Sequence, residues 1–188
     1  MAAYATARPL YEQALTIYGP LHPAYSRYLS LIAETLEEQG DLVRARALFQ
    51  VALAITEKGC GPEHEETARR LNHFANVLRK QKWLAGARTL YERALAITEK
   101  AFGPEHFGNS ATLNNLGLLC HDQGELDAAR PILERALTIT EKELGPDHHE
   151  TAMTLSNLGM VLQNQGDSVG ARQLFERALM TTEKVLGP

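Results

Sequence analysis

One four-residue signature punctuates the chain: Gly19-Pro20-Leu21-His22, Gly61-Pro62-Glu63-His64, Gly103-Pro104-Glu105-His106 and Gly145-Pro146-Asp147-His148, with a further Gly187-Pro188 at its end. The interval is 42 residues each time. A fixed period of this size excludes a fold built around one central core, because each unit can bury its apolar face only against its neighbours. The 188 residues therefore measure a number of repeats rather than a number of domains. A binding scaffold is the class of function that such an array implies. The period does not name a ligand.

Within each unit the apolar residues recur at helical spacing, i, i+3, i+4 and i+7. The first stripe is Leu29, Ile32, Ala33, Leu36, then Leu71, Phe74, Ala75, Leu78, then Leu113, Leu116, Gly117, Cys120, then Leu155, Leu158, Gly159, Leu162. The small residue inside each stripe predicts a close helix–helix approach, since interaxial distance depends on the side chain at the contact. A second stripe follows: Ala45, Leu48, Phe49, Ala52, Leu53, with Ala87 to Leu95, Ala129 to Leu137 and Ala171 to Leu179 in the same pattern.

Gly40, Gly124 and Gly166 come after the first helix, where a left-handed residue is easiest as glycine. Asp41, Glu125 and Asp167 follow them, and aspartate is the better N-cap for the second helix. The second unit has Lys82-Trp83 instead, and a lysine at positive φ costs about 1 kcal/mol, so a reshaped turn is expected there. The Gly-Pro pair then stops the second helix. Pro131, like Pro9, stands about six residues into that helix and predicts a mild kink or a late start. Residues 1–18 match only a second helix, which gives one orphan helix ahead of units 19–60, 61–102, 103–144 and 145–188, nine helices in all.

Both cysteines replace apolar packers, Cys60 where sister units have Phe102 and Leu144, and Cys120 where they have Leu36 and Leu78; both are read as buried thiols. A net charge of −4, dispersed along the chain, gives no footprint for nucleic acid. No apolar run is long enough to span a bilayer, and Met1-Ala2-Ala3-Tyr4 has no signal-peptide pattern. A soluble, cytoplasmic protein with no membrane partner is expected.

Leu113-Asn114-Asn115-Leu116-Gly117, Gly124, Ala129 and Ala136-Leu137 together resemble the tetratricopeptide repeat (TPR). The 42-residue period and the Glu-Lys-x-x-Gly-Pro-x-His linker resemble the longer repeat of the kinesin light chains. The resemblance implies an all-α, right-handed α-solenoid of antiparallel helix pairs, a TPR superhelix, acting as a protein- or peptide-binding scaffold with no cofactor.

Catalytic chemistry finds no constellation: the serines show no nucleophile elbow and no glycine-rich phosphate loop occurs. The protein is not expected to be an enzyme. The histidines His22, His64, His106 and His148 stand one repeat apart, too far to share an ion held at ~2 Å, and read as caps of the following helix. The adjacent pairs Glu134-Arg135 and Glu176-Arg177 point apart along a helix and read as solvated surface.

The first-helix positions outside the core stripe are the candidate groove. In the second unit they are Arg69, Asn72, His73, Asn76, Arg79 and Lys80; in the third, Asn114, Asn115, Leu118 and His121; in the fourth, Met153, Asn157 and Met160. Asparagine offers both a donor and an acceptor to an extended peptide backbone. Resemblance to kinesin light chains implies that Asn72, Asn114, Asn115 and Asn157 hold a peptide, with Arg69, Arg79 and Lys80 supplying charge and Leu118, Met153 and Met160 an apolar pocket. Glu34, Glu37 and Glu38 make the first unit acidic, and Glu37 and Glu38 share repeat positions with Arg79 and Lys80, so exchange of surface ion pairs is the competing reading. Trp83 reads either as a contact surface or as a lid on its altered turn. The uncovered ends favour a second function, self-association or service as the sensor arm of a larger signalling protein.

Overall fold

The computed structural model describes residues 23–186. Among them are eight α-helices and no strand: α1 Pro23–Glu38, α2 Leu42–Cys60, α3 Glu65–Lys80, α4 Leu84–Phe102, α5 Ser110–Asp122, α6 Leu126–Leu144, α7 His149–Asn164 and α8 Ser168–Leu186. A short 3-10 turn, Phe107–Asn109, precedes α5. The orphan helix expected in residues 1–18, Pro9 within it, and His22 lie outside the described residues. The chain divides into two compact units, with the division between Ile97 and Thr98.

In the first unit α1 folds back on α2 through a three-residue turn, and α3 packs beside them. Ile32, Ala33 and Leu36 of α1 meet Ala45 and Phe49 of α2 and Val77 of α3 in one apolar cluster. Leu53, Ala68, Leu71, Ala94 and Ile97 form the next, which carries the packing on into α4. In the second unit a single cluster joins Cys120 of α5, Leu133 and Leu137 of α6, Leu155, Leu158 and Val161 of α7, and Ala178 of α8. The expected core stripes are buried throughout the first helices, with Phe74 alone half-exposed. Gly117 and Gly159 act as the small contact residues: a Cβ on Gly159 would lie 2.7 Å from the Phe175 ring, and one on Gly117 would strike Leu133.

The turns are uniform. Asp41, Trp83, Glu125 and Asp167 each donate a backbone N–H to a carbonyl five residues earlier, the bond that closes a left-handed helix end. Gly40, Gly124 and Gly166 hold φ of 80°, 77° and 90°, and Lys82 holds 63°. The turn at Lys82 is therefore not reshaped, contrary to the expectation: the five-residue bond and the packing around it impose the same conformation on a lysine. Asp41 and Asp167 cap α2 and α8 by accepting from the Arg44 and Gly170 N–H groups, whereas Glu125 makes no such bond. The α6 helix begins at Leu126, in register with α2 and α4, so Pro131 does not delay its start.

The Gly-Pro linkers are held from both sides. His64, His106 and His148 each accept, through Nδ1, a backbone N–H two residues on, which makes them the helix caps the sequence suggests. Thr67 and Thr151 donate back to the carbonyls of Gly61 and Gly145 at 2.7 and 2.8 Å, and Asn109 reaches the Gly103 carbonyl at 2.8 Å where the others have threonine. Cys120 is fully buried as expected, but Cys60, at the helix end beside Gly61-Pro62, is only half-buried.

Arginines of the second helices are not merely solvated. Arg93, Arg135 and Arg177 each pair with the glutamate 36 residues earlier, Glu57, Glu99 and Glu141, at 2.5 to 2.6 Å. Arg93 and Arg135 also donate to the linker carbonyls of Pro62 and Pro104. The neighbours Glu134 and Glu176 turn the other way, to Arg130 and Arg172. These clasps tie a second helix to the end of its predecessor.

Candidate functional site

Each unit presents first-helix side chains on which a ligand could lie. In the first unit a cleft of about 240 Å³ opens between α1 and α3, lined by Arg27, Ser30, Leu31, Glu34, Glu66, Arg69, Arg70 and His73. Its charges are already partly matched. Glu66 lies 3.2 Å from Arg70 and 3.5 Å from Arg69, and Glu34 is 2.9 Å from Nδ1 of His73. The hydrogen bond from His73 holds the Glu34 carboxyl below its ordinary range, against the opposing effect of partial burial. The His73 ring leans on Phe49 at 5.8 Å between centroids, so the core fixes where it sits.

Of the residues expected in the first unit, Arg69 is exposed, whereas Asn72, His73, Asn76 and Arg79 are half-buried. Asn76 faces the second helix in part, since Tyr91 donates its hydroxyl to the Asn76 amide oxygen. Lys80 pairs with Glu37 at 2.7 Å, which is the exchange of surface charge between neighbouring first helices that competed with ligand binding. Arg70 is the residue the sequence reading passed over. It is buried and takes the place of Tyr28, Thr112 and Thr154 in sister repeats, a departure visible in the repeat alignment. Desolvation lowers its guanidinium below the usual range, with Glu66 opposing.

In the second unit a cleft of about 320 Å³ opens between α5 and α7, walled by Ala111, Asn114, Asn115 and Met153, with Thr140 and Thr154 behind and His149 and Glu150 at its edge. Met153 and Met160 are exposed, and Leu118 is half-buried. Asn157 donates to Asn114 at 3.0 Å, so two of the asparagines are joined to each other across the helix pair. His121 sits 2.7 Å from the amide of Asn164. Asn115, for which no side-chain hydrogen bond is seen among the described residues, lines the cleft. The structure thus brings Asn114, Asn115 and Met153 together, while Leu118 and Met160 lie outside the walls of that cleft.

Paired helices of regular period, stacked through small residues and presenting side-chain clefts between first helices, define a helical repeat scaffold. The chain belongs to the tetratricopeptide repeat family, whose model matches residues 2–58, 45–100, 66–142 and 109–184. Its fold is the TPR α-solenoid, and repeats of this family generally mediate protein–protein interaction. The chain is similar in structure to BtubC (BKLC) from P. vanneervenii, at 25% identity and TM-score 0.83, over 99% of this chain and 76% of that one. It is similar too to nearly identical TPR-like repeats of kinesin-light-chain type from Podosopora anserina, at 20% identity and TM-score 0.74, over 100% and 89% of the two chains. MamA matches at 17% identity and TM-score 0.61, over 95% and 88%. No curated protein matches the chain. Among the described residues no helix is long and apolar enough to cross a membrane.

Proposed function

We propose that this protein is a non-catalytic scaffold that takes an extended peptide segment of a partner protein along its first helices, with units 19–60, 61–102, 103–144 and 145–188 as the repeats that supply them. The observation that carries this reading is the α5–α7 cleft. Its volume of about 320 Å³ suits one or two side chains, and its walls combine an exposed thioether with two amides. Methionine adapts to varied apolar shapes, and the Asn115 amide can pair with both polar groups of a peptide unit. The cleft between α1 and α3 carries cations and anions together, which favours a ligand of mixed charge over a purely acidic one.

The test begins with a peptide selected from a random displayed library on the full chain, its affinity measured by calorimetry. Asn115→Ala and Met153→Ala are each expected to weaken binding roughly tenfold, as residues central to an interface do, with the melting temperature nearly unchanged. Asn157→Ala is expected to weaken binding and also to loosen Asn114. Affinity unaltered in both Asn115→Ala and Met153→Ala would overturn the reading.

A second reading has its own observation. Leu53 and Leu137 are 8% and 9% exposed, but Leu179, at the same repeat position on α8, is 58% exposed, and Met180 beside it is 59%. Either a further repeat or a second copy of the chain would cover that apolar face, and self-association is the second reading. Light scattering at high concentration, with Leu179→Glu as the control, separates the two: a monomer throughout counts against assembly.

A further inference from the structure

The edge of the first unit carries a second surface, away from the first-helix clefts. It lies where the α1–α2 turn meets the α3–α4 turn, an open hollow of about 810 Å³ whose walls include Gln39, Val43, Arg46, Gln81 and Trp83. Trp83 is 58% exposed and Val43 67%. The guanidinium carbon of Arg46 lies 4.4 Å from the centre of the Trp83 ring. Lys82, at φ 63°, sits in the same turn.

The corresponding positions of the second unit show what is unusual. There Glu125, Asp127 and Asp167 stand where the first unit has Asp41, Val43 and Trp83. Gln165 donates to Asp127 at 2.9 Å, while Gln81 has Val43, which offers no acceptor, at the matching position. Arg130 and Arg172 pair with the glutamates one turn on, Glu134 and Glu176. Arg46 has Gln50 at that position, so it has no carboxylate one turn on to take, and it lies over Trp83 instead. Asp41, the acid that remains, accepts from Arg44. An edge of three acids has become one in which Arg46 lies over an apolar platform, with Lys82 next to Trp83 in the adjoining turn.

We infer that the Trp83–Arg46 hollow is a docking site for an acidic segment of a partner protein that carries an apolar side chain among its carboxylates. A guanidinium stacked by its face keeps its N–H fork at the edge, oriented for a carboxylate. Trp83 and Val43 offer the apolar contact, and large aromatic side chains of this kind are enriched where interfaces draw their binding energy. The charge complement is what selects the occupant: a basic segment meets Arg46 and Lys82 with like charge. This surface is separate from the first-helix clefts, so either assignment can fail alone.

Trp83 is the only tryptophan in the chain, so its emission reports on this site directly. The probe is the synthetic peptide acetyl-Asp-Glu-Leu-Asp-Glu-amide, titrated into the full chain at low salt, with the Lys-Lys-Leu-Lys-Lys analogue as the control. The expected result is a saturable shift in emission with the acidic peptide and none with the basic one. Arg46→Gln weakens the acidic peptide at least about tenfold, as loss of a charged interface contact does, while Arg130→Gln, at the matching position of the second unit, leaves it unchanged. Circular dichroism melting confirms that Arg46→Gln is folded; should it not be, Lys82→Gln serves in its place with the same expected direction. No saturable change up to about 1 mM peptide, the weak end of useful affinity, an equal response to the basic peptide, or an affinity indifferent to the substituted cation would each overturn the assignment.

Discussion

Lys82 shows how far a repeat can dictate a single residue's backbone. Its φ of 63° repeats that of Gly40, Gly124 and Gly166, although a side chain in the left-handed region costs about 1 kcal/mol. Lys82→Gly relieves that strain, and glycine's larger freedom in the unfolded chain offsets part of the gain. A net stabilisation of about 0.5 kcal/mol is expected, read as a small rise in denaturant midpoint with an unchanged slope. A fall in midpoint would show that the lysine is not strained. Glu34 gives a prediction in pH. Because the His73 hydrogen bond holds its folded pKa below the usual 4.5, the ionised carboxylate stabilises the fold above that pH. This contribution fades as pH falls through the lowered folded value. Glu34→Gln is expected to flatten that part of the acid limb of the stability curve, and an unchanged limb would contradict the assignment.

Helix pairs meet where side chains are missing. Gly117 has Leu133 against it and Gly159 has Phe175, while Ala33 and Ala75 take the same place in the first unit. Gly117→Ala is expected to cost about 1–3 kcal/mol, the usual penalty for overpacking a tight contact, measured by chemical denaturation. A smaller loss would show that Leu133 yields to the new methyl. The clasp between second helices is worth less: Arg135→Ala is expected to lose at most about 1 kcal/mol, since Glu99 and Arg135 are both partly exposed, and the loss shrinks at high salt.

These elements differ in how plainly the sequence announces them. Stripes, glycine turns and histidine caps were legible, because spacing alone places residues on a helix face and Gly-Pro ends it; the turn at Lys82 was not, since its sequence departs from the pattern while its backbone keeps it. The clasps were not, since Arg135 and Glu99 lie 36 residues apart and only stacking brings them together. For the clefts, spacing placed Asn114, Asn115 and Met153 correctly on first helices. It gave no sign that Asn157 would bond Asn114, that Tyr91 would engage Asn76, or that Arg70 would sit buried beside Glu66. Such pairings depend on side-chain length and on the neighbouring helix, which period alone does not encode.

For the whole molecule, the question is which surface a partner uses. Three are on offer: the clefts between first helices, the Trp83 edge, and the exposed face of α8. The methionines sample two of them, because Met153 and Met160 stand on α7 and Met180 on α8, with only Met1 besides. Methyl NMR on protein labelled at methionine, titrated with the library-selected peptide, therefore tests the scaffold account at its centre. The account predicts that the Met153 resonance shifts or broadens as peptide is added while Met180 holds its position. Perturbation confined to Met180, with Met153 still, would contradict it.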